Sequence, residues 1–293
     1  MDLTTAVRLS CLLEASALKA GNVHPEAHFG HLTYDDFVRS GQVVAPILSQ
    51  ASVRGVGPTI LEAVRATRIV CEHNTNLGIV LLLAPLAAVP VNCRVTDGIG
   101  SVLSSLTRAD SDAVYEAIRV AAPRGLGDAE AEDVSVGPTG SLVEVMTLAA
   151  DRDLIAAQYA TGFSLVIRFA SRLESLNLFP DRWESAILQL QLELMANHPD
   201  TDISRKRGLA EAVESADRAQ AVLDAGYPAD VDSLQRFSEF DTWLRERGSQ
   251  RNPGTTADLI TASLFVAIRD RLIVPPTEDA VGQHVRDCRI PSP

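Results

Sequence analysis

Lysine is almost missing from this chain. Of 26 basic residues in 293, only Lys19 and Lys206 are lysines, which leaves 24 arginines. Aromatic residues are also scarce, at 5%, and Ala and Leu dominate the 46% hydrophobic share. That balance disfavours sheets built on aromatic and β-branched pairs and favours helix packed on helix. No run is rich in Lys or Arg, and 26 basic against 38 acidic residues give a formal charge of −12. A nucleic-acid surface that works by counterion release is therefore not expected, and an anionic ligand would need a local basic pocket or a divalent cation.

Other absences narrow the class further. Cys11, Cys71, Cys93 and Cys288 form no CxxC pair, so reduced and mostly buried thiols are expected. The first residues are acidic at Asp2 and interrupted by Arg8 and Glu14, unlike a signal peptide. The longest apolar run, Leu77 to Val91, contains Pro85 and Pro90 and stops short of the roughly 20 residues that span a bilayer. A buried core helix, no membrane partner and a cytoplasmic location are the expectation. Neither an alternating strand pattern nor an internal repeat is present; Val89–Val95 could form a short strand, but Pro90 counts against it.

Helical signals run the length of the chain. Asp2 caps a helix expected to reach about Lys19 and to end at Gly21, followed by a polar loop over 20–32. Thr33 starts a helix to about Ser49, and a further one is expected over Ile60–Cys71. Asn74–Gly78 reads as a turn leading into apolar Ile79–Ala88, with shorter helices over 97–122. Residues 123–140, rich in Gly, Pro and acids, read as the clearest loop. Helices follow at about 141–150, 151–172, 181–196, 205–225, 231–247 and 256–271, with a polar turn over 197–204 and a weakly patterned tail after Pro275. The reading is one all-α domain, 1–293, of ten or more helices.

Four polar segments stand out against this background. The first, EASALKAGNVHP, holds Glu14, Lys19, Asn22 and His24; a lysine at a helix C-terminus also suits the dipole. His24, His28 and His31 suggest metal-ligand spacing without completing a zinc pattern. The second, EHNTNLG, puts Asn74 and Asn76 before the buried helix, where backbone amides can hold an anion, or where Asn74 or Thr75 merely caps. In the third, HPDTDISRK, Asp200 and Asp202 form a candidate magnesium site with Arg205 and Lys206 as phosphate partners. The alternative is a capping aspartate before a helix whose first turn carries those cations against its dipole, a conflict that a bound anion would relieve. The fourth, Asn252–Asp258, starts a helix with an acid one turn inside.

Taken together, EASALKAGNVHP, EHNTNLGIVLLLAPL, PDTDISRKRG and NPGTTADL resemble the triphosphoribosyl-dephospho-CoA synthase family, over residues 14–259. The resemblance implies an all-helical enzyme that transfers the triphosphoribosyl group of ATP to the 2′-hydroxyl of dephospho-CoA and releases adenine. Its partners would be small molecules and magnesium, with a homo-oligomer left open. On this reading Asp200 and Asp202 hold magnesium; Lys19, Asn22, Asn74, Asn76, Arg205, Lys206 and Asp258 bind substrate; and Glu14 or His24 acts as base. Two segments depart from the best-known members: Leu18-Lys19-Ala20-Gly21 replaces Pro-Lys-Pro-Gly, and Asn74-Thr75-Asn76-Leu77-Gly78 replaces Asn-Thr-His-Lys-Gly. These departures open two alternatives: a ribosyl or phosphoribosyl transfer in tetrahydromethanopterin-type cofactor biosynthesis, or a nucleotide-binding helical protein without turnover.

Overall fold

The computed structural model describes residues 1–30, 32–122 and 137–288, the last by its backbone alone. His31, most of the 123–140 loop and the Cys288 side chain lie outside the described residues. Sixteen α-helices form from the rest, with no strand among the described residues.

The core is built on two apolar helices. α1 spans Leu3–Ser16, α2 Tyr34–Leu48, α3 Ala51–Arg54, α4 Val56–Val70 and α5 Leu77–Ala88. Every residue of α5 from Leu77 to Ala87 is buried, because the segment has no polar face to offer water. It packs against α2, α4, α6 (Val95–Ser104) and α15 (Gly254–Arg269). α7 (Arg108–Ala121) lies along α4, while α15 also packs on α1 and α10. Truncating a buried leucine such as Leu83 to alanine should cost about 2–5 kcal/mol. None of the described helices is by itself long and apolar enough to cross a membrane.

A second, smaller core lies beside the first. α11 (Trp183–Asn197), α12 (Thr201–Arg207), α13 (Leu209–Asp224) and α14 (Val231–Arg245) enclose Leu192, Ile203, Ala219 and Phe240 with Ala20 from the loop after α1. That apolar anchor draws the polar loop against α14.

Several boundaries differ from the sequence expectations for identifiable reasons. α1 stops at Ser16, because Lys19 turns back to bond the carbonyls of Glu14 and Ala17. α4 starts at Val56, with Pro58 in the first turn, where its missing N–H costs nothing. The 151–172 helix is two, α9 (Leu154–Ala160) and α10 (Ser164–Leu176). Gly162 and Phe163 take positive φ between them, which lets Phe163 enter the core 5.4 Å from the Tyr159 ring. The expected 205–225 helix begins at Thr201 and breaks at Gly208, φ +92°, so 201–204 is helix rather than turn. The weak tail forms α16 (Glu278–Cys288), which among its described side chains buries Val281 and Val285. α8 covers Leu142–Ala149, and Val89–Val95 forms no strand.

Candidate active site

All four polar segments meet near the N-terminal end of α15. From α1 and its loop come Glu14 and Lys19, both buried, with the ammonium 3.0 Å from the Glu14 carboxylate. Burial pushes the Glu14 carboxyl above its usual range, and Lys19 opposes that shift. Lys19 was expected on phosphate; its recorded bonds instead go to Glu14 and two main-chain carbonyls.

The next residues are held from both sides. Gly21 takes φ +71°, where a Cβ would lie 2.7 Å from Leu244 Cδ1, and its N–H donates to Asp241 at 2.7 Å. Asn22 donates to Asn252 Oδ1 at 2.8 Å and accepts from Gln191 at 3.1 Å, which ties the first segment to the fourth. His24 Nε2 is 3.1 Å from Arg245, and the Glu26 N–H donates to Nδ1 at 3.3 Å. Burial first, then the Arg245 charge, lowers the His24 pKa to about 4, which leaves the ring neutral at pH 7. With both nitrogens engaged, His24 is a poor general base, and Glu14 is the stronger candidate of the two.

α12 corrects the third segment most. One oxygen of the buried Asp200 accepts from the N–H groups of Asp202 (2.9 Å) and Ile203 (3.0 Å), and caps the helix. The other accepts from Thr256 N (2.7 Å) and Oγ1 (2.8 Å), and fastens α12 to α15. Burial and then the Asp202 charge raise its pKa to about 6 against those donors. Arg205, Lys206 and Arg207 occupy the last turn of α12, where cations suit the dipole, so the conflict read from the sequence does not arise. Asp202 pairs with Arg205 and, at 2.5 Å, with Lys206. The Asp200/Asp202 magnesium site is thereby undercut: four donors fill one carboxylate and two cations hold the other. No group of three His, Cys, Asp or Glu among the described residues is arranged to hold a metal.

At α5, Asn74 is exposed and caps the helix by accepting from Leu77 N at 3.0 Å, the simpler of its two expected roles. Asn76 and Thr75 are buried, and Asn76 Nδ2 has no hydrogen-bond partner. Asn76 lines a narrow recess with Cys11, Glu14 and Ser40. A larger hollow lies at the opposite end of α1, beside Arg94 and Arg269, and contains no residue of the four segments.

Asp258, one turn into α15, lies against Gly78 so closely that a Cβ there would be 2.0 Å from its Oδ2. It has no recorded cation or hydrogen-bond donor. Burial first, then the charges of Asp202, Glu14, Asp200 and Asp153, hold its carboxyl well above the usual range. Sequence reasoning missed Asp153, whose visible role is to cap α9 through Ile155 N and Ala156 N. It also missed Gln191 and Arg245, which lie mid-helix or at a helix end with no motif around them. Exposed His28 plays no part in the cluster.

Comparison with known proteins gives this arrangement a family. The profile of the CitG family, ATP:dephospho-CoA triphosphoribosyl transferase, matches residues 1–275. A 90-residue stretch is 31% identical to a protein of Albidiferax ferrireducens named "Probable 2-(5''-triphosphoribosyl)-3'-dephosphocoenzyme-A synthase" and covers 31% of this chain and 29% of that protein. The match thus spans less than a third of the relative's length. The fold is shared with a crystal structure of a "putative triphosphoribosyl-dephospho-coA synthase from Archaeoglobus fulgidus", at a TM-score of 0.61 and 24% identity over 80% of this chain and 98% of that one. With a matched region that includes all four polar segments, the chain belongs to the CitG family of ATP:dephospho-CoA triphosphoribosyl transferases.

Proposed function

We propose that the chain transfers the triphosphoribosyl group of ATP to the 2′-hydroxyl of 3′-dephospho-CoA and releases adenine. The observation that carries this reading is the meeting of four distant segments at one acid-rich site, within a chain of this family. Breaking the bond from the ribose C1″ to adenine develops positive charge on that carbon. The carboxylates of Glu14 and Asp202, withdrawn from water, would stabilise that charge more than they could in bulk solvent.

Arg205 and Lys206, still partly exposed on Asp202, are the candidates for the triphosphate, and Lys206 bonds it as a compact charge. Lys19 acts indirectly on this account by fixing Glu14. Magnesium would arrive chelated to ATP, as part of the substrate, since the residues present do not fit a resident ion. Holding donor and acceptor in line should supply much of the rate.

The test is incubation with ATP, magnesium and dephospho-CoA, followed by assay for free adenine and for the coenzyme product. ATP binding without adenine would instead leave a binding protein. Leu77, where the best-known members have lysine, favours that binding protein, while release of the base only with a pterin acceptor would select the other enzymatic reading. Lys206→Ala should raise KM for ATP about tenfold while changing stability by less than about 1 kcal/mol, because its ion pair is only partly buried. An unchanged KM would remove Lys206 from the site.

A further inference from the structure

A carboxyl with neither cation nor donor is anomalous at a site where the other acids are matched. Glu14 has Lys19, Asp202 has Arg205 and Lys206, Asp200 has four donors, and Asp153 caps α9. Asp258 has none of these, and it stands at the first turn of α5, where the absence of a Cβ at Gly78 gives its carboxyl room. A second observation points to a ligand there. Two residues before Gly78, the buried Asn76 keeps an amide N–H without a partner, in the recess it shares with Glu14. Asn76 thus offers an unpaired donor near the turn that Asp258 faces, and an amide together with a carboxyl can supply the donors and acceptor that a purine ring edge requires.

We propose that Asp258 is the general acid of the reaction, donating its proton to the adenine ring as the base departs. This rests on the triphosphoribosyl transfer proposed above. The bond that breaks joins C1″ of ATP to N9 of adenine, and its electron pair leaves with the base. The bond that forms joins the 2′-oxygen of dephospho-CoA to C1″. Adenine takes the Asp258 proton on a ring nitrogen, the acceptor hydroxyl gives its own proton to the Glu14 carboxylate, and proton exchange with solvent then returns both carboxyls to their starting states. The side chain thus ends each turnover as it began, and no redox partner is needed.

The surroundings favour the protonated form. The groups that face Asp258 are Glu14 and Cys11 from α1, Asp153 from the start of α9, and Asp200 and Asp202 from α12. Negative charge outweighs the two cations held on Asp202 and the one on Glu14, and burial acts in the same direction. Asp258 is partly exposed, so a substrate can reach it.

The test compares ATP with N7-methyl-ATP, whose base already carries positive charge and leaves without a proton. Asp258→Asn should lower kcat for ATP by about 10²–10⁴-fold, with KM for ATP nearly unchanged. With N7-methyl-ATP the loss should shrink to less than about tenfold. Wild-type kcat should fall with rising pH as the acid is lost, and that limb should vanish in Asp258→Asn. Equal losses on both substrates, or an unchanged kcat, would overturn the assignment while leaving the transferase reading intact. Wild-type protein that releases no adenine would overturn the reading itself and the acid with it. Asp258→Glu should restore part of the rate with ATP, which a merely structural role would not predict, and melting curves of each variant check folding.

Discussion

Asp200 and Asp258 stand close together on neighbouring helices, and the fold treats them in opposite ways. Four donors converge on Asp200, from its own helix and from Thr256 of α15, so the carboxylate works as a rivet. None converges on Asp258, which faces the first turn of α5 and the charges of other acids. A buried polar group is normally hydrogen-bonded, as Asp200 is, whereas the partly exposed Asp258 carboxyl has no protein donor. Spacing left Asp200 as either a ligand or a cap; the geometry makes it a cap and leaves Asp258 without a protein partner.

The largest effect that would sharpen this contrast is expected from Asp200→Ala. Four donors lose their acceptor at a buried junction, and a denaturant titration should show roughly 4 kcal/mol less stability. A loss below about 1 kcal/mol would break the comparison. Lys19→Met should be nearly as costly, about 3–5 kcal/mol, because Glu14 is left buried and uncompensated. If the pair is structural, the double variant Lys19→Met with Glu14→Leu should regain most of that stability. A double variant no more stable than the single one would count against the pairing.

Gly78→Ala tests the other half of the contrast. Its Cβ must displace the Asp258 carboxyl, at about 1–3 kcal/mol and with slower adenine release. Combining it with Asp258→Ala should cancel most of the stability cost, and additive costs would deny the contact. The smallest effect concerns His24. Its folded pKa of about 4 lies below the ordinary 6.5, so the fold holds the neutral ring. The stability this gives is present above pH 6.5 and is lost as pH falls toward 4. Urea unfolding at pH 7 and pH 4.5 should show wild type losing on the order of 2 kcal/mol more than His24→Gln. Equal losses would remove the histidine from the account.

How much of this was legible in the sequence follows from how local each cause is. Helix caps depend on a few adjacent residues, so the Thr33–Asp36 capping box and the start of α2 could be read directly. The apolar run of α5 announced a core helix, since no face of it could meet water. The tail that forms α16 was hard to read because, among its described side chains, it offers just Val281 and Val285 to the core. The break at Gly208 was hidden because α12 and α13 carry compatible helical patterns on either side, and only the glycine's positive φ separates them.

By itself the sequence determined an all-helical chain, the four polar segments and the family they resemble. Composition, capping and periodicity act over a few residues, and ordered motifs survive in the linear text. Tertiary structure alone decided which carboxylate is a rivet and which is unpaired, and that Lys19 faces Glu14 rather than solvent. It also brought in Asp153, Gln191 and Arg245, whose neighbours in the sequence say nothing about the site. The physical reason is that a charge is tuned by everything within several ångströms of it, and here those neighbours come from helices and loops far apart in sequence that meet only in the folded chain.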